Sequence, residues 1–467
     1  MTSVPDRAGT PPERTKANLD SLVAAAAAHY QAGRLGEADA AYQSALALAP
    51  GDTAITHNLG VITAAQGQHQ NAIALFEDVI GRQPRYISAH YNRALAHLAL
   101  GRSRAAIAGL SRTCALEPGH YGAHRALGFL WLSEGERGRA LDHFARTYEL
   151  RRGEDRSDLT TRSLTHATRG KLLHDAEQFR FLAKRARDGQ RFNASARAYE
   201  EVAQEISEQM EKLSVRQVDK LGEDYNGPIN IRGAPQCTGR AVSERSDLGV
   251  LMRGFRGSRT GAIYFDDLLT PEALQRLKSY LLESTIWHDF SHIGGFVASY
   301  IEDGLACPLI LQIADEIRTT FPELLGEHPL SQAWAFKGFQ AASAIDVHAD
   351  DAAISVNFWV TPTEANLKPG QGGLVVGLVP PPDDWHMNGY NSDQEKIVAF
   401  LEQNAHDILR VPYRENRAAV FESRLFHRSD EPEFAVGYEN HRINMTFLYG
   451  RHGAQRCFNH NDDCLAE

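Results

Sequence analysis

Apolar positions along this chain follow two different rhythms, and the change between them divides it. In the first third, small and apolar residues keep a helical spacing and also a longer period. Gly33, Gly67, Gly101 and Gly135 recur every thirty-four residues, as do Ala38, Ala72, Ala106 and Ala140. Pro50, Pro84 and Pro118 keep the same step, with Arg152 in the fourth position, while Tyr42, Phe76 and Phe144 share a slot that Leu110 fills in the third unit. Each residue type has a physical task at that spacing. Glycine permits the turn between two helices, alanine lets them approach closely, and proline ends the second helix. The pattern predicts four antiparallel helix pairs over residues 19–154, preceded by a polar, Pro-rich tail at 1–18 that reads as disordered.

From Leu159 to about Leu221 the helical pattern continues without the period. Ala176, Phe179, Leu182, Ala183 and Ala186 form one stripe, and Ala198, Val202 and Ile206 another, with Gly189 between them. This predicts a helical hairpin that caps or connects, within a region 155–225. The Gly-, Pro- and Arg-containing stretch 226–260 reads as a loop or linker. From Gly261 strands take over. Ala262–Phe265 is a short apolar strand, Thr270-Pro271-Glu272 starts a helix, and a second helix is expected over Pro308–Phe321. Trp334–Phe339, Ala353–Val360, Gly373–Leu378, Ala418–Glu422 and Ile443–Tyr449 are rich in aromatic and β-branched residues and predict strands. Pro380–Arg410 is longer than a strand connection needs, with a helix expected at Ser392–Ile408, Ser392 as its cap and Glu395 as the capping-box partner. The expected fold is therefore multidomain: an N-terminal all-α solenoid, a helical connector, and a C-terminal α+β domain over 261–467 in which helices back a jelly roll.

The period, the helix–turn–helix unit and the four coincident positions resemble the tetratricopeptide repeat. That resemblance implies a superhelix whose concave face holds an extended peptide. Asn58 and Asn92 lie one period apart in the slot that related repeats use to hydrogen-bond a peptide backbone. Ala24 and Ala126 fill it in the outer units, so the ladder has two rungs; His57, Tyr91 and Arg125 occupy the neighbouring slot. The alternative is that these are solvated polar residues on a scaffold.

Composition narrows the class. The chain has 467 residues, 43% apolar and 23% charged, a length that calls for more than one core. A formal net charge of −10 disfavours a general nucleic-acid binder. No apolar run reaches the length that spans a bilayer, and the N-terminus lacks the apolar core of a signal peptide, so a cytoplasmic location is expected. Cys114, Cys237, Cys307, Cys457 and Cys464 form neither a CxxC pair nor a dense framework, and reduced thiols are expected.

The chemistry concentrates in His348-Ala349-Asp350, followed by His427 and then Arg442. Two imidazoles and a carboxylate on one face of an iron leave three positions open, the ligand set of non-heme Fe(II) oxygenases. An H-x-D pair alone is common, but its surroundings here are specific. Ile345–Asp350 with the strand after it, Gly372-Gly373-Leu374, Ala418–Arg428 and His441–Phe447 together resemble the 2-oxoglutarate-dependent Fe(II) oxygenases, nearest to their prolyl-hydroxylase-like and phytanoyl-hydroxylase-like members. The resemblance implies a double-stranded β-helix in which His348, Asp350 and His427 hold Fe(II). It also implies that 2-oxoglutarate chelates the metal through its keto-acid end, that Arg442 pairs with the far carboxylate, that O2 is the oxidant, and that ascorbate is a supporting reductant. Related halogenases replace the carboxylate ligand, so Asp350 favours hydroxylation, with desaturation open. Asp351, His441 and His452 are competing candidates; H-x-D spacing favours Asp350, and strand alternation turns His441 away from Arg442. Asn357 and Trp359 share strand parity and are candidates for lining the site, Asn357 as a co-substrate contact, with Lys337 and Gln340 as weaker candidates from the preceding strand.

Three functions follow. The leading one is an oxygenase that hydroxylates a side chain of a peptide or protein recruited by the repeats. The second is a hydroxylase or desaturase of a small metabolite, with the repeats used for homodimerisation or partner docking. The third is a non-enzymatic repeat adaptor.

Overall fold

A computed structural model describes residues 11–152, 165–222, 225–227, 229, 231, 233–257, 261–291, 295–339, 345–382, 385, 393–404 and 408–450. The chain divides into two compact units, the first ending at Leu130 and the second running Trp131–His452.

The first unit is built of helix pairs: α1 (Pro11–Gln31) with α2 (Leu35–Leu48), α3 (Thr53–Ala65) with α4 (His69–Arg82), and α5 (Ile87–Ala99) with α6 (Ser103–Leu116); α7 (Tyr121–Ser133) follows. The periodic residues do what the pattern implies. Gly33, Gly67 and Gly101 turn the chain between paired helices at φ of 73°, 79° and 69°, where a side chain would be strained. Ala38, Ala72 and Ala106 are fully buried, and Tyr42 and Phe76 fill the space beside them. The helical repeat region resembles tetratricopeptide solenoids.

The fourth pair departs from the others. Its second helix, α8 (Arg137–Arg152), belongs to the second unit, so the division falls after Leu130 and not near 154 as the period suggested. Its deviant residue explains the difference. Where earlier units have proline, Arg152 continues the helix and forms a buried ion pair with Asp303. Thr147 Oγ1 donates to the Glu302 carbonyl (3.1 Å), and Tyr148 meets His288 Nε2 at 2.9 Å.

The expected hairpin is α9 (Arg169–Ala183) and α10 (Gly189–Ala203). Gly189 is required there, because a Cβ would lie 2.5 Å from the Ala183 carbonyl oxygen. The stretch read as a linker is partly helical, with α12 (Leu248–Gly257) following α11 (Val215–Leu221). Next come α13 (Pro271–Glu283), capped by Thr270 with proline in its first turn, and α14 (Pro308–Thr320).

Among the described residues, besides a two-residue ladder between His166–Ala167 and Glu211–Lys212, nine strands build two antiparallel sheets: β1 (Ala262–Phe265), β2 (Phe296–Tyr300), β3 (Leu330–Gly338), β4 (Ile354–Trp359), β5 (Leu374–Gly377), β6 (Ile408–Val411), β7 (Ala418–Glu422), β8 (His427–Ser429) and β9 (Ile443–Tyr449). The larger sheet has the order β1-β7-β4-β9-β3-β2 and the smaller β8-β5-β6. Trp359, Ala419 and Phe421 of the first share a core with Leu374, Val376 and Val411 of the second. β2, β6 and the short β8 are not among the strands expected from the sequence. Ile408, expected to end a helix, instead begins β6, and α15 is shorter, Gln394–Gln403. Its N-cap is Asp393, which accepts from the Lys396 backbone N–H; the expected cap Ser392 lies outside the described residues.

Among the described residues no helix is long and apolar enough to cross a membrane. Cys114, Cys237 and Cys307 are free thiols, while Cys457 and Cys464 lie outside the described residues.

Candidate metal centre

Strand alternation sets out the inner face of the larger sheet. Thr446 on β9 pairs with Asn357 on β4 and Trp334 on β3, and Asn444 pairs with Trp359 and Phe336. Ser355, two residues before Asn357, therefore shares that face. The opposite face carries Met445, Phe447 and Tyr449, whose hydroxyl donates to the Ala314 carbonyl in α14.

Residues 347–350 run beside β8. The His348 N–H donates to the His427 carbonyl (3.0 Å), the His427 N–H returns to His348 (2.8 Å), and the Asp350 N–H donates to Ser423 (2.9 Å). Val347 and Ala349 pack on Ile397 of α15 and on Phe426, and Gln394 donates to the Val347 carbonyl. With the odd residues held by α15, alternation sends His348 and Asp350 to the other side, toward His427. The 380–410 insertion thus braces the H-x-D segment from behind.

His348, Asp350 and His427 each offer a ligand atom, all within 4.8 Å of one another. His348 Nε2 is 3.7 Å from Asp350 Oδ1, and His427 Nε2 is 3.5 Å from Oδ2. Neighbouring ligands held at about 2.1 Å from one ion lie roughly 3 Å apart, so each imidazole would draw roughly half an ångström closer to the carboxylate on binding an ion. Both imidazoles are oriented for the task. His348 Nδ1 lies 2.8 Å from the Asp346 carbonyl and His427 Nδ1 lies 3.0 Å from that of Leu425. A carbonyl there requires the proton on Nδ1, which leaves the Nε2 lone pair for a metal. Burial pushes the His427 pKa down to about 4, with His348 adding to the effect and Asp350 opposing it. The imidazole is neutral at physiological pH, as a ligand must be. Ser355 Oγ donates to Asp350 Oδ2 at 2.7 Å and lies 2.8 Å from Ser423 Oγ. Asp351, the competing carboxylate, is exposed and outside the cluster. The donor set fits a divalent transition metal of the kind two imidazoles and a carboxylate hold.

Arg442 enters the same interior from the start of β9. It is 8% exposed, its Nε and Nη2 donate to the carbonyls of Gly372 (2.9 Å) and Gly373 (3.1 Å), and its guanidinium lies 5.9 Å from the Trp359 ring centroid. Burial lowers its pKa to about 10, so it stays charged at neutral pH. Among the described residues it has no carboxylate within ion-pair distance. The two glycines make this grip feasible: a Cβ on Gly373 would sit 1.9 Å from the Val411 carbonyl oxygen. Two of the five guanidinium N–H groups are thereby used, and the remaining three stay on Nη1 and Nη2.

Other candidates divide. Asn357 is buried on the inner face and its Oδ1 has no hydrogen-bond partner, as is true of Trp359 Nε1. Lys337 does not join them. It pairs in register with Ile443 on the opposite face, fully buried, with Nζ 3.0 Å from the Tyr438 ring centroid. His441 is also on that side and buried, neither solvated nor a ligand, with Nε2 3.1 Å from Glu177 Oε2. Gln340 and His452 lie outside the described residues. Ser355 and Ser423 were missed in the sequence, although a serine within an otherwise apolar strand is a signal.

Asn58 and Asn92, expected as open rungs, are buried. His57 bridges them, with Nδ1 3.1 Å from Asn58 Oδ1 and Nε2 3.0 Å from Asn92 Nδ2. An imidazole between the amides ties one repeat to the next and engages Asn58 Oδ1 and Asn92 Nδ2, while Asn92 Oδ1 stays buried without a hydrogen-bond partner.

No protein-family model and no curated protein matches this sequence. Among solved structures the chain is similar to MamA from Desulfovibrio magneticus RS-1 (residues 41 to the end), at 22% identity over 32% of this chain and 90% of that one, with a TM-score of 0.28. A crystal structure of MamA protein is 19% identical over 40% of this chain and 91% of its own, with a TM-score of 0.27. A Thermobaculum terrenum O-GlcNAc transferase mutant is 25% identical over 29% of this chain and 27% of its own, also at 0.27. Similarities this distant bear on neither activity nor partners.

Proposed function

We propose that the chain is an Fe(II)- and 2-oxoglutarate-dependent oxygenase whose two sheets form a jelly roll, and that it hydroxylates a side chain of a peptide or protein recruited by the repeats. The observation that carries the reading is the cluster of His348, Asp350 and His427, with both Nε2 lone pairs presented and the carboxylate held by Ser355. In this reading those three residues hold the metal, which supplies a site where O2 and the keto-acid meet. The overall balance is R–H + 2-oxoglutarate + O2 → R–OH + succinate + CO2.

The protein's own share is positioning and exclusion of water. Arg442, held from behind by two carbonyls, offers its remaining N–H groups to the far carboxylate of the co-substrate. Asn357 Oδ1 and Trp359 Nε1 supply an acceptor and a donor that are otherwise unmet. Each Nδ1–H donates to a backbone carbonyl, His348 to Asp346 and His427 to Leu425, which restrains both ligand rings. Recruitment of a polypeptide by the repeats belongs to the same reading, through surfaces other than the internal Asn58–His57–Asn92 network.

Succinate release with Fe(II), ascorbate and 2-oxoglutarate tests the assignment in two single variants. Asp350→Ala should abolish release and metal binding, whereas exposed Asp351→Ala should keep both. The opposite pattern would overturn the ligand set.

A further inference from the structure

The face of the larger sheet that carries Ser355 also carries a row of aromatic rings on β2 and β3. Tyr300 pairs with Trp334, Ala298 with Phe336 and Phe296 with Gly338, so Tyr300, Trp334, Phe336 and Phe296 share one side of the two strands. Ring centroids are 6.1 Å apart for Tyr300 and Trp334, 5.8 Å for Trp334 and Phe336, and 5.0 Å for Phe336 and Phe296. Tyr300, Trp334 and Phe336 are only half-buried, and Trp334 Nε1 has no hydrogen-bond partner. The row leads to the metal cluster's end of the sheet. Gln332, next on that side of β3, pairs with Leu448, and Leu448 pairs with Ser355. Two strand spacings put Gln332 roughly 10 Å from the serine that holds Asp350.

Charge differs between the two ends of this face. Gln332 Nε2 donates to Glu302 Oε1 at 3.1 Å. Asp289, whose backbone bridges Ala298 of β2, accepts from the Tyr300 hydroxyl. Burial first, then Asp289, Glu302 and Asp303, raise the Tyr300 pKa, so three carboxylates bear on that end; Asp303 is matched by Arg152. At the other end the Gly338 N–H donates to the carbonyl of Arg442, the residue that the oxygenase reading assigns to the co-substrate. Roughly 20 Å of strand separates Gly338 from Gln332. One face thus offers a cation at one end, and rings beside carboxylates at the other.

We propose that the Tyr300–Trp334–Phe336 row is a substrate shelf for the cationic head of a lysine or arginine side chain of a peptide, with the methylenes behind the head lying toward the metal cluster. This deepens the oxygenase reading and rests on it for the chemistry, though not for binding. A ring face attracts a cation, and the apolar stem packs on the same surface. Carboxylates beside the rings repel an acidic competitor, and a formal net charge of −10 favours the approach of a basic segment. Hydroxylation would break one aliphatic C–H of the stem and place one oxygen of O2 on that carbon, the other going to succinate, as in the balance above.

The test uses the full chain and acetyl-glycyl-lysyl-glycinamide as probe, followed by saturation-transfer NMR beside its arginine, norleucine and glutamate analogues. The lysine and arginine probes should bind, norleucine about tenfold more weakly, and glutamate not at all; the tighter of the first two identifies the side chain. Trp334→Leu, which keeps an apolar side chain and removes the ring face, should weaken the cationic probes about three- to thirtyfold, and Trp334→Phe should restore most of that. Glu302→Gln, which keeps the contact with Gln332, should weaken them several-fold and leave norleucine unchanged. Bound Mn(II) should broaden the probe's methylene signals. Equal binding of the lysine, arginine and norleucine probes, full affinity in Trp334→Leu, or no binding or broadening in a folded chain that takes up Mn(II), would overturn the proposal and leave the oxygenase reading intact. Cationic probes that bind through Trp334 to a chain that takes up no Mn(II) would instead sink the oxygenase reading and leave the shelf as a binding site alone.

Discussion

Ser355→Ala should weaken metal binding without unfolding the protein, and the hydrogen-bond chain behind Asp350 sets the size of the effect. Ser355 is fully buried and its hydroxyl donates to Asp350 Oδ2 at 2.7 Å. Its single proton is thereby used, so the 2.8 Å contact with Ser423 must have Ser423 as donor. A hydrogen bond to a charged group contributes about 1.5–3 kcal/mol, and a neutral one about 0.5–1.5 kcal/mol. If the serine's role is to hold the carboxylate in the ligand position, Ser355→Ala should lower metal affinity roughly ten- to hundredfold, and Ser423→Ala about two- to tenfold. The two losses should not add. Once the Ser355 hydroxyl is gone, Ser423 has no route to the carboxylate, so the double variant should resemble Ser355→Ala. Mn(II) titration followed by electron paramagnetic resonance, with melting curves alongside, measures all three. Unchanged or tighter binding by Ser355→Ala would refute the orienting role, as would a larger loss in Ser423→Ala.

Further perturbations test other parts of the frame. Ile397→Ala empties the packing behind Val347 and Ala349 and should cost about 2–5 kcal/mol in denaturant melts while lowering metal affinity; a stable variant with full affinity would contradict the bracing role of α15. Arg152→Met leaves Asp303 buried without its main partner and should cost about 3–5 kcal/mol, with Asp303→Asn recovering part of the loss; additive losses in the pair would argue against coupling. In the acid range, Asp266 is informative. Hydrogen bonding from Arg417, with the Arg414 charge adding, holds its carboxyl below the usual range. Its contribution to stability is therefore present above its unfolded pKa and lost as pH falls through the lower folded one. Asp266→Asn should flatten the acid limb of the stability profile, and an unchanged slope would exclude this pair as its source.

The repeats were legible because their signal is redundant. Gly33, Gly67 and Gly101 occupy positive φ, and each buried alanine sits where two helices meet. Arg152 was visible as a break in the period, but its partner Asp303 is 151 residues away, and no local pattern links them. The H-x-D segment and β9 carried the ordered ligand candidates on strands whose alternation can be read. The supports could not be read in the same way, since Ser355, Ser423 and the Gly372–Gly373 carbonyls act through tertiary contacts. Lys337 was misjudged for a related reason: parity on β3 depends on register with β9, which the sequence does not state. The burial of the asparagine pair could not be read from the sequence, because it is the neighbouring His57 that links Asn58 Oδ1 to Asn92 Nδ2 across the repeats.

Anaerobic calorimetric titration of 2-oxoglutarate into the full chain, with and without Fe(II), tests the central claim most directly. The account predicts tight binding only when Fe(II) is present, weakened about ten- to hundredfold in Arg442→Ala and lost with the metal in Asp350→Ala. Admission of O2 to the parent complex should then release succinate. A folded chain that binds neither Fe(II) nor 2-oxoglutarate would contradict the account and leave a repeat protein whose His348–Asp350–His427 cluster has no metal to hold.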